Sequence, residues 1–126
     1  MHVGQYRQYL DMMNQWLIIK QEGKSIEHYL KRNGYGTIAI YGMAVYGRHV
    51  VRELYGGDIK IAYGIDRKKM SPYKGITIVS PMGELPTVDL IINTVIHEHA
   101  AIEKDLSKII DCQIVSLEDV VYESYE

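Results

Sequence analysis

The chain has 126 residues, the length of one ordinary domain, and 47% of them are hydrophobic, enough for a core. Its 14 basic and 16 acidic side chains leave a formal charge of −2, which excludes a general attraction to nucleic-acid phosphates or anionic lipid. The single cysteine, Cys112, excludes an intrachain disulfide, and no apolar run approaches the roughly 20 residues of a membrane-spanning helix.

The opening segment, MHVGQYRQYL, lacks the apolar stretch of a secretory signal, so a cytoplasmic protein is expected. Residues 5 to 20 space Tyr6, Tyr9, Leu10, Met13, Trp16 and Leu17 three and four apart. That spacing predicts an amphipathic helix with these residues on its apolar face. The segment EGKS interrupts it. Ser25 is placed to cap a second, short helix with Ile26, Tyr29 and Leu30 on its face, and Asn33-Gly34 suits its end. Residues 1–34 thus read as a helical extension, followed by a domain over 35–126. With 11 tyrosines and no phenylalanine, tyrosine takes over aromatic packing; an oligomer interface, through the N-terminal helices, is its second expected use.

From residue 37 strands alternate with helices. TIAIY (37–41) is a short strand; residues 45 to 55 form a helix with Val45, Val51, Leu54 and Tyr55 inward, ended by Gly56-Gly57. IKIAYGID (59–66), ITIV (76–79), DLIINTV (89–95) and CQIVSL (112–117) are the later strands. The fourth is apolar nearly throughout, as a central strand covered on both faces should be. Residues 98 to 110 form a helix through Ala101, Ile102, Leu106 and Ile109, and Ser116 can cap a last helix with Asp119 at the capping-box position. Such alternation predicts a parallel sheet between helical layers. Residues 67 to 75 are too few for an ordinary helical crossover. The third strand is therefore joined by a tight helix-free loop or belongs only weakly to the sheet.

The turn after the first strand carries the main chemical signal. In a dinucleotide-binding turn the first glycine permits a sharp strand-to-helix corner, the second lets backbone approach the pyrophosphate, and the third lets helix and strand pack closely. Here those positions hold Gly42, Ala44 and Gly47. Met43 and Val45 complete the turn, whose free amides and helix dipole would face phosphate. The Ala44 methyl and the nearby Tyr46 narrow that space. Asp66 ends the second strand, 24 residues after Gly42, where a carboxylate accepts hydrogen bonds from ribose hydroxyls. The basic run Arg67, Lys68 and Lys69 beside it would pair with a 2′-phosphate or another acidic group. Past the fourth strand, Thr94, His97, Glu98 and His99 fall on the sheet edge where ligands of parallel sheets sit. His97 and His99 are candidate acid-base groups, or the polar start of a helix. No third ligand at a recognisable spacing accompanies them, so no metal is expected. Cys112 reads as an unreactive thiol.

The segments WLIIKQEGKSIEHYLKRNGYGTIAIYGMAVYGRHVVREL, IAYGIDRKK, YKGITIVSP, VDLIINTVI and IVSLEDVV resemble the Rossmann-like modules of bacterial capsule and surface-polysaccharide biosynthesis proteins, over Leu10 to Tyr122. The resemblance implies NAD(P), coenzyme A or a nucleotide-sugar as ligand, and a glycosyltransferase or other sugar-modifying enzyme as associate. By position it implicates Gly42, Ala44 and Gly47 at the phosphate turn and Asp66 at the ribose. Ala44 departs from the usual pattern, and no catalytic residue carries over.

The expected fold is a three-layer, Rossmann-like α/β domain with a mainly parallel five-stranded sheet in the order 3-2-1-4-5. The leading functional expectation is a nucleotide-binding module, not catalytic alone, for NAD(H) or a nucleotide-sugar. Gly42, Met43, Ala44, Val45, Gly47, Asp66, Arg67 and Thr94 would form its site. An interaction or dimerisation module with a defunct pocket is the second expectation. The third is a small enzyme using His97 or His99, with Asp66 orienting substrate.

Overall fold

Apolar, β-branched runs bounded by glycine and aspartate form five short strands. They are β1 (Thr37–Tyr41), β2 (Lys60–Ile65), β3 (Ile78–Val79), β4 (Leu90–Asn93) and β5 (Gln113–Ser116). The computed structural model describes residues 3–125, so positions 1, 2 and 126 of the two expected regions lie outside the described residues. The strands make one sheet in the order β3-β2-β1-β4-β5, with every pairing parallel, as the alternation predicts.

Five helices flank it: α1 (Val3–Gln21), α2 (Ile26–Arg32), α3 (Val45–Leu54), α4 (His99–Leu106) and α5 (Leu117–Ser124). Side chains of a strand alternate between faces. Ile38, Ile40, Leu90 and Ile92 point to the face that α1, α2, α3 and α5 cover. Ala39, Tyr41 and Ile91 point to the other, which α4 covers with Ile102 and Leu106. The three layers are therefore unequal. Met12, Ile19, Ile26 and Leu30 are fully buried on the first face, so the N-terminal helices share the core of the sheet. Each such side chain contributes about 1.5–3 kcal/mol by leaving water.

Some details differ from the expected pattern. The buried stripe of α1 is Tyr9, Met12, Trp16 and Ile19, while Tyr6, Leu10 and Leu17 face solvent at 63%, 64% and 56% exposure. The helix carries two apolar stripes, and spacing alone does not say which turns inward. In α3, Val45 is exposed because it begins the helix beyond the end of the sheet, and Tyr55 is exposed because it lies past the helix end; Val50, Val51 and Leu54 are the inward residues. A 3-10 turn at Ile96–Glu98 precedes α4, which stops at Leu106, leaving Ala101 and Ile109 outside the core. Ser25 holds the cap position of α2, but its side chain makes no cap bond. The Ile26 amide at the start of α2 instead donates to Glu53 Oε2 at 2.7 Å. Ser116 does cap α5, accepting from the Asp119 amide at 3.1 Å.

The helix-free link between β2 and β3 closes on a tight turn. Tyr73 and Ile76 bridge antiparallel, with Lys74 and Gly75 at φ 48° and 79° between them. β3 is only two residues long, yet it pairs with Gly64 and Ile65 within the sheet. After β3 the chain returns to β4 without a helix, and Tyr63 fastens that return by donating its hydroxyl to the Pro86 carbonyl at 2.6 Å.

Among the described residues, no helix is long and apolar enough to cross a membrane.

Candidate functional site

Register places the candidate residues at one level. Tyr41 is paired with Ile65 on one side and Asn93 on the other. The next residues, Gly42, Asp66 and Thr94, therefore leave the sheet together at its carboxyl edge. Ligands of open parallel sheets bind there, where strand order reverses between β1 and β4.

The two glycines of the turn are required by shape. Gly42 has φ +88°, and a Cβ on it would lie 2.4 Å from Thr94 Oγ1. A Cβ on Gly47 would lie 2.1 Å from the Gly42 carbonyl oxygen, so only glycine lets α3 approach β1 this closely. Thr94 is buried, and its hydroxyl donates to the carbonyls of Tyr41 and Gly42 at 2.9 and 2.8 Å. It holds the turn from behind and faces no opening. Met43 is likewise core: its side chain packs so closely on β2 that a Cβ at Gly64 would lie 2.6 Å from Met43 Cγ. Only its backbone belongs to the site. Ala44 and Val45 are exposed on the outer side of the turn.

Asp66 is drawn into the turn itself. Its Oδ2 accepts from the Met43 amide at 2.8 Å, and its Oδ1 accepts from the Lys68 amide at 2.9 Å. Each oxygen keeps lone-pair capacity for a further donor. Arg67, beside it, is exposed and lines two adjoining hollows that also share Tyr41 and Ile102. The inner one, of about 100 Å³, touches Gly42, Asp66, Val95 and Glu98. The outer one, of about 290 Å³, runs between α4 and the segment Pro81–Gly83, over Leu106 and Met82. Together they form a mostly apolar groove that starts at the glycine turn and descends the face covered by α4. Its walls suit a flat ring, and its polar groups (Asp66, Arg67, Glu98 and Asp105) suit hydroxyls, amines and an anionic group.

On the other side of the turn, Ala44, Val45, Arg48, Arg52 and Met70 line a separate hollow of about 350 Å³. The two guanidinium groups lie 4.8 and 5.6 Å from the Tyr73 ring centre. Neither makes an ion pair among the described residues.

The histidines are held apart and both are occupied. His97 Nδ1 lies 2.9 Å from the Tyr9 hydroxyl, and the rings meet edge to face at 5.7 Å. Burial holds the Tyr9 hydroxyl above the ordinary phenol range, so it stays protonated at neutral pH. Tyr9 also stacks on Tyr46 of α3 at 4.6 Å. His99 Nδ1 lies 3.1 Å from Asn93 Nδ2, which donates, leaving Nε2 toward Glu103 at 3.7 Å. Neither ring lines the groove. Among the described residues no group of three metal-ligating side chains exists. Cys112 is half-buried just before β5, and burial pushes its thiol up, away from the reactive thiolate.

Sequence reasoning missed Tyr41, Val95, Ile102 and Met82 as groove walls, and Tyr9 as the residue that holds His97. Strand-end apolar residues carry no signal of their own; only the register shows which of them meet. Comparison with protein-family models, curated proteins and solved structures gives no match, so the site is read from its own geometry.

Proposed function

We propose that the chain is a small nucleotide-binding module of the Rossmann-like kind, positioning or sensing its ligand without catalysing a reaction alone. The observation that carries this reading is the Asp66 carboxylate, anchored on the Met43 amide at the mouth of an apolar groove that begins at Gly42. A base would occupy the groove against Ile102 and Val95. Its ribose hydroxyls would donate to the free lone pairs of Asp66, and phosphate would lie over the Ala44–Val45 side of the turn. NAD(H) and nucleotide-sugars are the proposed ligand classes, with surface-polysaccharide or sugar metabolism as the setting and a sugar-modifying enzyme as associate. The enzyme reading is weaker, because His97 and His99 are tied to Tyr9 and Asn93 away from the groove. Thermal-shift measurements with NAD, NADP, coenzyme A and nucleotide-sugars test the proposal. A ligand at 100 times its dissociation constant raises stability by about 2.7 kcal/mol, and a flat melting temperature across the panel would refute it.

A second reading rests on the outer stripe of α1. Val3, Tyr6, Leu10 and Leu17 are exposed there, with half-buried Met13 completing a strict three-four spacing that suits helix-on-helix packing. A homodimer through α1 leaves the α4 groove free, since α1 and α4 cover opposite faces of the sheet.

A further inference from the structure

The crevice between the ends of β1 and β4 is where a dinucleotide crosses from one half of such a sheet to the other. On the face of α1 and α3 it is filled from within the chain. Tyr9 of α1 reaches over the β4 end and stacks on Tyr46 in the first turn of α3. Its hydroxyl meets His97 Nδ1 at 2.9 Å and points to the Thr94 carbonyl at 3.4 Å. Tyr9 is itself 5% exposed, so it is part of the packed core and no loose flap. Beyond it, β5 leads directly into α5, whose Leu117 is fully buried and which packs on α1. On the face that α1, α3 and α5 cover, the edge above β4 and β5 is thus occupied by protein.

What remains open lies on the face that α4 covers, against Gly42, Asp66, Val95 and Glu98. The groove along α4 has hollows of about 290 and 100 Å³, near the roughly 300 Å³ lower limit of small-ligand pockets. Across the turn from it lies the hollow of Arg48 and Arg52, two cations over the Tyr73 ring that make no ion pair among the described residues, in a chain of net charge −2.

Resting on the nucleotide-binding reading, we infer that the site recognises a nucleoside phosphate alone. The base sits in the α4 groove, the phosphates turn outward past Ala44 toward Arg48 and Arg52, and any second nucleoside or sugar is left in solvent. Recognition ends at the phosphates because Tyr9 bars the other direction. A dinucleotide then binds no better than its diphosphate half.

Isothermal titration of the full chain with ADP, UDP, NAD and UDP-glucose tests this without any variant. The expected result is that one nucleoside diphosphate binds, and that its extended counterpart binds no more than threefold tighter. Saturation-transfer NMR should then mark base and ribose protons of the bound extended ligand, with little transfer to nicotinamide or glucose protons. NAD or UDP-glucose binding more than threefold tighter than the diphosphate, or strong saturation of the second half, overturns the inference while leaving nucleotide binding intact. Binding by none of the four would sink both. The phosphate direction has its own arm. Replacing Arg48 and Arg52 together by alanine should weaken the diphosphate at least fivefold and leave the unphosphorylated nucleoside unchanged. An unchanged diphosphate affinity in a folded double variant overturns that part. Both side chains are exposed, so circular dichroism should show the fold retained.

Discussion

The Asp66 carboxylate accepts from the Met43 amide at 2.8 Å, so the acid that ends β2 is anchored on the turn that follows β1. A second oxygen holds the Lys68 amide at 2.9 Å, which fixes the start of the link to β3. One side chain thus shapes two loops and still presents lone pairs to the groove. Replacing Asp66 with alanine strands the Met43 and Lys68 amides, and hydrogen bonds to charged groups contribute about 1.5–3 kcal/mol each. Asp66 is half-exposed, so a total loss of about 2 kcal/mol is expected, read as a lower urea midpoint at unchanged slope. Asp66→Asn keeps a carbonyl for one amide and should fall between. Both variants should lose ligand stabilisation; an Asp66→Asn protein that binds as tightly as the native chain would remove Asp66 from the site.

The turn glycines and the alanine between them should behave in opposite ways. Gly47→Ala drives a methyl into the Gly42 carbonyl, which is backbone and cannot step aside. Gly42→Ala combines a left-handed φ with a clash on Thr94 Oγ1, itself tied to two carbonyls. Overpacking costs about 1–3 kcal/mol, and a left-handed φ about 1–2 kcal/mol more. By chemical denaturation Gly47→Ala should therefore lose about 1–3 kcal/mol and Gly42→Ala about 2–5 kcal/mol. Ala44 is exposed at φ −79°, so Ala44→Gly should stay within about 1 kcal/mol of native stability. It should also tighten a phosphate-bearing ligand severalfold in titration, because it removes the methyl from the phosphate approach. Equal affinity would show that this methyl does not obstruct the ligand.

Glu53 holds three helices together. Its side chain is only 6% exposed; it accepts from Trp16 Nε1 at 2.8 Å and the Ile26 amide at 2.7 Å, with Lys20 at 3.5 Å. Glu53→Ala leaves the Trp16 and Ile26 donors without their acceptor at a site that water scarcely reaches. About 3 kcal/mol of stability should be lost. Trp16 is the only tryptophan, so its emission during denaturation reports the effect directly. Glu53→Gln keeps one acceptor oxygen and should lose less; a loss equal to that of alanine would mean the charge, with Lys20, is the main contribution.

Fold and site were legible to different depths for physical reasons. Strand order follows from local cues: apolar runs of strand length, glycines where backbone must turn, and right-handed crossovers. Gly42, Gly47 and Asp66 were readable because only their residue types fit those positions. The inward face of α1 was not readable, since Leu10 and Met12 are equally apolar and tertiary packing alone chooses Met12. Glu53 looks in sequence like any exposed helix acid. Its burial depends on Trp16 and Ile26, which lie 37 and 27 residues away. The expected role of Thr94 changed for a similar reason: its hydroxyl is spent on the turn's own carbonyls.

Acid should expose the role of Asp89. Its Oδ2 accepts from the Gly36 and Thr37 amides at 2.9 and 3.0 Å, and these bonds hold its carboxyl below the ordinary carboxylate range. A folded-state pKa lower than the unfolded one stabilises the fold above the unfolded value, near pH 3.9, and that contribution is lost as pH falls through the folded value. Asp89→Asn keeps the acceptor oxygen without the charge. The stability difference between the two proteins should be constant from pH 5 to 7 and shrink below about pH 4. Urea midpoints across that range give the test; a difference that does not change in acid would show that the charge plays no part.

The outer stripe of α1 makes the proposed dimer testable without touching the core. Val3, Tyr6, Leu10, Met13 and Leu17 alternate spacings of three and four, the period at which one helix packs along another. An antiparallel copy centred on Leu10 sets Val3 against Leu17 and Leu10 against itself, with Tyr6 (four residues before the centre) and Met13 (three after) offset by one position between them. That is the self-complementarity of a two-fold interface. Leu10 is 64% exposed in the single chain, and its neighbour in the fold is solvent, so Leu10→Glu removes no core contact. In a dimer it places two carboxylates together at the dyad, where like charges repel and desolvation is unfavourable. Light scattering should therefore give twice the 14.5 kDa chain mass for the native protein and the single mass for Leu10→Glu. Affinity for the unphosphorylated nucleoside should be the same in both, because the groove lies between α4 and Pro81–Gly83, on the face of the sheet opposite α1. A native protein that scatters as a monomer, or a Leu10→Glu protein that remains dimeric, would rule out this stripe as the interface.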